Sequence, residues 1–194
     1  MIVTIHQPEH FPYMGYFDKM KNADIFVILD NVKFKKNNWQ NRNKFINKQG
    51  NEEWFGVAIP KKSNSMLIKD VIPVNEKINN WKQKVVKKLI HNFGKDFSDI
   101  YDHNTLLDIN MASIEWARTC LNIKNKIILA SDLNVCGKKS NLLANICKEL
   151  NASCYLSGPS GKNYLEEEYF KDIKIEYFAP KVENYYSCVY NILK

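Results

Sequence analysis

The sequence contains no run of about 18 apolar residues, which excludes a membrane-spanning helix. The opening Met1-Ile-Val-Thr-Ile-His6 has neither a basic n-region nor an apolar h-region, so it does not read as a secretory leader. The cysteines (Cys120, Cys136, Cys147, Cys154, Cys188) are odd in number, widely spaced and without a C-x-x-C pair, which excludes a disulfide scaffold. Reduced thiols in a cytoplasmic protein are the expectation. His6 and His10 are separated by Gln-Pro-Glu, with Pro12 soon after, which no helix would align, and no Cys or acidic cluster completes a zinc-like set. No metal site is expected. Neither repeats nor low-complexity linkers occur, so residues 1–194 read as a single domain.

What is present is a globular composition: 194 residues, 45% hydrophobic, 25% charged and 12% aromatic, enough for one good core. Lysine and arginine outnumber the acidic residues 28 to 21, a net charge of +7 that permits a phosphate-bearing ligand without demanding one.

Residues 1–5 are an apolar run ended by His6-Gln7-Pro8. Tyr16, Phe17 and Met20 then recur at helical spacing, and Ile25–Leu29 is a continuous apolar run of the kind buried on both faces of a parallel sheet. The opening is therefore a βαβ unit. Lys33–Gln49 is polar, basic and Asn-rich. Strands are expected at Trp54–Ile59 and Met66–Val74, an antiparallel excursion over about 33–75. A helix is expected over Glu76–Phe93, stopped by Gly94, and another from Leu106 to Leu121. Strand Lys126–Ala130, helix Ser140–Leu150, strand Ser153–Leu156, a short helix near Leu165–Phe170 and strand Ile173–Phe178 complete the chain. The alternation implies an α/β fold with a mixed, mainly parallel sheet flanked by helices.

Ligands of open α/β sheets bind beyond the carboxyl ends of the strands. That rule selects three loops: His6–Tyr16; Asp30–Lys33 continuing to Trp39–Asn43; and Ser157–Tyr164. His6, ending a buried strand, is the candidate base or phosphate ligand, with Gln7 as an orienting hydrogen bonder. Gly15 opens a helix whose N-terminus favours an anion. His10, Tyr16, Asp30, Trp39, Asn41, Arg42, Asn43, Ser157, Gly158 and Tyr164 are the candidate substrate and phosphate contacts. Trp39 and Arg42 suit a nucleotide or sugar ring. They would equally suit RNA, but no RNA-module signature accompanies them, and nucleic acid is not the expected partner.

The run I-H6-Q-P8-x-x-x-P12-x-x-G15-Y-F17-x-K19, then A23-D24-I-F-V-I-L-D30-N, then W39-x-N41-R42-N43, resembles the WbqC-like protein family, as do C147-x-E-L, Y155-L-S-G158 and Y164-L165. The likeness runs from residue 1 to about 178, departing at His10 and Met14 and in the short tail. It implies a setting in bacterial surface-polysaccharide and O-antigen biosynthesis, with modification of a nucleotide-linked amino sugar by acyl or aminoacyl transfer. The opening pattern is also that of nucleotidylyltransferases and pantothenate synthetase, with Tyr16 standing where those enzymes place the second His of their signature. By that analogy ATP and Mg²⁺ enter only through a second reading, nucleotidyl or adenylyl transfer. A third is a non-catalytic sugar-nucleotide or partner-binding protein. The oligomeric state is not legible.

Overall fold

The computed structural model describes residues Met1–Lys194, which form two compact units. The first comprises Met1–Gln7, Gly15–Asp30 and Ile123–Glu183; the second comprises Pro8–Met14, Asn31–Asn122 and Asn184–Lys194.

The first unit is built on β1 (Ile2–His6), β2 (Ile25–Ile28), β5 (Lys126–Leu129), β6 (Cys154–Ser157) and β7 (Lys174–Tyr177), in the order β5-β2-β1-β6-β7. Every pairing in this sheet is parallel, with Val3 opposite Ile25 and Ile2 opposite Cys154. All four β2 residues are buried, as are all four of β6, as strands covered on both faces must be. Helices α1 (Met14–Lys21) and α6 (Lys139–Glu149) supply cover, turning Tyr16, Phe17 and Met20, and Leu142, Leu143, Ile146 and Cys147, inward.

The second unit pairs β3 (Arg42–Ile46) antiparallel with β4 (Glu52–Gly56) and adds α2 (Glu76–Asn79), α3 (Trp81–Phe93), α4 (Ser98–Tyr101), α5 (Leu106–Cys120) and α7 (Cys188–Leu193). Its core is aromatic. Phe11 is fully buried, its ring 5.2 Å from Phe97, 5.7 Å from Phe55 and 5.8 Å from Trp116. Phe11 takes φ 43°, a left-handed conformation costly for a bulky residue. Its N–H donates to Ser113 Oγ and its carbonyl accepts from Asn43 Nδ2, which hold it there.

The main sheet is wholly parallel rather than mixed, and the antiparallel pair stands apart as its own two-stranded sheet. That pair is 42–46 with 52–56, not 54–59 with 66–74. Met66–Val74 contains a single-turn 3₁₀ segment, Ile68–Asp70, and touches Lys33 by one isolated bridge at Leu67. The helix expected over Glu76–Phe93 breaks at Asn80, left-handed at φ 52°. No helix is long and apolar enough to cross a membrane.

Candidate functional site

From β1 the chain of the first unit winds outward through β2 to β5, then returns to the other side of β1 at β6. Such a reversal leaves a crevice at the carboxyl ends of the two central strands. A cavity of about 270 Å³ opens there, lined by Ile5, His6, Gln7, Leu29, Leu143, Tyr155 and Tyr164. No lysine or arginine lines it.

His6 lies edge-on against Tyr16, ring centroids 4.8 Å apart. Its Nδ1 is 3.1 Å from the Gln7 carbonyl. A carbonyl only accepts, so the proton resides on Nδ1 and Nε2 is the acceptor nitrogen. Burial, aided by the Lys19 ammonium, lowers the imidazole to about 3, so the ring is neutral across the physiological range. Lys19 is itself buried and donates to the Ile5 carbonyl. Tyr155 is buried and stacked on Phe170 at 5.2 Å, and burial holds its phenol far above its ordinary value. Tyr164 is 57% exposed, as suits a group at the mouth of a cavity. Burial raises its phenol too.

Below the mouth, Ser157 is buried and its Oγ donates to the Gly158 carbonyl. A Cβ on Gly161 would come within 2.1 Å of Ser157 Oγ, whereas one on Gly158 would meet nothing within 4 Å. The loop after β6 is thus close-packed at Gly161 and open at Gly158. The cavity is lined by His6, Gln7, two tyrosines and three aliphatic side chains. It can orient a small polar molecule and take a proton from an N–H or O–H group.

The remaining sequence candidates have other surroundings. Gly15 is buried in the first turn of α1. Asp30 is fully buried and accepts from Ser131 N and Oγ, tying the end of β2 to the segment after β5. In the second unit His10 is fully buried between Asn110 and Tyr101, both ring nitrogens engaged. Asn41 accepts from Asn37 N and donates to the Val57 carbonyl; Asn43 donates to the carbonyls of His10 and Phe11. These polar groups serve the fold. Trp39 and Arg42, by contrast, stay accessible beside Trp54. Sequence reasoning misses Ile5, Tyr155, Leu29 and Leu143 as lining residues. Tyr155 and Leu29 are near strand ends, where the rule that picks His6 could have found them; Leu143 reads only as the inner face of a helix.

The family model described as "WbqC-like protein family" matches residues 7–191. The chain is 27% identical over 186 residues to "Uncharacterized protein Rv1507c" of Mycobacterium tuberculosis (strain ATCC 25618 / H37Rv), covering 89% of this chain and 79% of that protein. No solved structure matches.

Proposed function

Because the chain belongs to the WbqC-like protein family, we propose that it modifies an amino sugar, carried on a nucleotide, by acyl or aminoacyl transfer in bacterial surface-glycan biosynthesis. The observation that carries this reading is the switch-point cavity with neutral His6 in its wall. Its volume of about 270 Å³ is near the low end for small-molecule sites, the size of a sugar unit rather than a whole sugar nucleotide. Its lining, free of lysine and arginine, also sets no cation against the sugar's amine.

In the proposed reaction the sugar amine attacks the donor's carbonyl carbon. The new N–C bond forms, the bond to the leaving group breaks with its electron pair, and the amine proton passes to His6 Nε2. Gln7 and Tyr164 orient the sugar hydroxyls. The base form of His6 is lost only as pH falls through its lowered value of about 3. His6 therefore adds no acid limb near the 6.5 of a free imidazole, and a limb of kcat/KM above pH 5 belongs to protonation of the sugar amine.

The test is a thermal-shift screen with nucleotide-linked amino sugars, their parent nucleotides, ATP and CTP, with and without Mg²⁺. A ligand at 100 times its dissociation constant adds about 2.7 kcal/mol. A larger shift with an amino-sugar nucleotide than with its parent nucleotide, the excess lost in His6→Ala and Tyr164→Ala while the unliganded melting point barely moves, is the expected result. A shift with ATP alone, dependent on Mg²⁺, favours adenylyl transfer. A collapse of the unliganded His6→Ala protein makes His6 a structural residue.

A further inference from the structure

Trp39 and Trp54 are 38% and 42% exposed, an expensive way to place two indoles, and they stack on each other with centroids 5.8 Å apart and planes 20° apart. Alternation along the hairpin buries Asn43, Phe45 and Phe55 and leaves Arg42, Lys44 and Trp54 on the outer face. The Arg42 guanidinium lies 4.5 Å from the Trp54 ring centroid and Lys44 Nζ lies 5.9 Å from it. Lys44 is already paired with Glu52 at 2.7 Å. Arg42 is paired with no carboxylate, and its buried Nε has no protein acceptor.

We propose that this face of the second unit binds a nucleoside phosphate, the base continuing the stack on Trp39 and the phosphate paired with Arg42. The platform is preorganised. Trp39 is held by its carbonyl, which accepts from His10 N at 2.8 Å, and by its N–H, which donates to Asn38 Oδ1 at 2.8 Å. Asn41, bonded to Asn37 and Val57, fixes the turn between Trp39 and Arg42. A rigid aromatic surface loses little entropy on binding. A planar base extends an existing π-stack, and a guanidinium already seated over an indole keeps donors for an anion. An uncharged sugar would leave Arg42 unanswered. A free nucleotide and a single-stranded nucleic acid offer the same chemistry. The reading does not depend on the reaction proposed for the switch-point cavity.

Isothermal titration calorimetry on the full chain with UMP, AMP and octauridylate, at low and physiological salt, tests it. Trp39→Ala and Arg42→Gln should each weaken UMP and AMP binding tenfold or more, the weight of one base–aromatic stack. Their melting temperatures should match wild type, and His6→Ala should still bind. Octauridylate binding much more tightly than UMP, with a steep salt dependence, identifies nucleic acid as the source; equal affinity identifies the free nucleotide. The proposal is overturned by no heat from any of them at millimolar concentration, or by affinities unchanged in both platform variants. Loss in His6→Ala alone overturns it too, and moves the nucleotide to the cavity. Binding of polygalacturonate with none of nucleotide makes the platform a polysaccharide surface and likewise overturns it.

Discussion

His10 shows how a polar residue with the look of a ligand contact can belong to the core. Asn110 Nδ2 donates to the Gln40 carbonyl at 2.7 Å and toward the Pro8 carbonyl at 3.4 Å, so its Oδ1 must be the acceptor facing His10 Nδ1. Nδ1 then carries the proton, and Nε2 accepts from the Tyr101 hydroxyl at 3.0 Å. Asn110→Ala strands the His10 N–H and two buried carbonyls, and should cost about 3 kcal/mol or more in urea unfolding, at 1–3 kcal/mol for each of the three groups left unsatisfied. Burial lowers His10 to about 3, as it does His6. Between pH 6.5 and 3 the unfolded chain therefore binds protons that the folded chain refuses. Stability is full above 6.5 and falls with pH by about 1.4 kcal/mol per unit per histidine. Urea midpoints at pH 7 and pH 5 check this: His10→Gln, though weaker at pH 7, should show a flatter dependence, and an unchanged slope would assign the protons elsewhere. That His6, Gln7 and Tyr164 line the cavity was legible from the loops that follow β1 and β6. The roles of His10, Asn41, Asn43 and Asp30 were not, because each is decided by a partner such as Asn110 or Ser131 that lies far along the chain.

At the scale of elements, β1, β2 and β5 were legible from their apolar runs, and α5 and α6 from their periodicity. The β3–β4 hairpin was not. Its outer face is Arg42, Lys44, Glu52 and Trp54, so polarity hides a strand whose buried residues are only Asn43 and Phe45. Helical periodicity likewise runs through the break at Asn80. There the Glu76 side chain accepts from Lys82 N at 3.1 and 3.0 Å and caps α3, while α2 buries no residue and leaves Ile78 exposed, outside the stripe that α3 continues with Trp81, Val85 and Leu89. Close backbone approach defines the hairpin's end: a Cβ on Gly56 would stand 2.3 Å from the Asn41 carbonyl oxygen and 2.7 Å from Arg42 Cα, both backbone atoms that cannot swing aside. Gly56→Ala should cost about 1–3 kcal/mol in chemical denaturation. Gly158→Ala, whose Cβ meets nothing within 4 Å, should stay within about 0.5 kcal/mol. Equal costs at the two positions would mean that the hairpin parts freely.

On the scale of the whole molecule, neither unit is a continuous stretch of chain. The backbone passes from one to the other at Gln7–Pro8, Met14–Gly15, Asp30–Asn31, Asn122–Ile123 and Glu183–Asn184. The long middle segment 31–122 carries the hairpin and helices α2 to α5, yet its core is completed from outside it. Phe11, wholly buried among Phe55, Phe97 and Trp116, comes from the short N-terminal piece, and Cys188 and Val189, also fully buried, come from α7. The Cys188 N–H donates to the Pro12 carbonyl and the Ser187 N–H to the Lys44 carbonyl, so both outlying pieces are stitched to each other and to the hairpin. Deleting an aromatic of this kind from a core costs about 3–5 kcal/mol, comparable with the 5–15 kcal/mol that holds a domain together. A fragment of residues 31–122 loses that ring, the α7 contacts and their hydrogen bonds at once. It should show no cooperative melting by circular dichroism and no dispersed amide spectrum. The full chain should unfold in one calorimetric transition, because opening the second unit frees the segments that follow β1 and β2 and lead into α1 and β5. A 31–122 fragment that melts cooperatively by itself would instead make the second unit an autonomous domain, with its outlying pieces as mere trim.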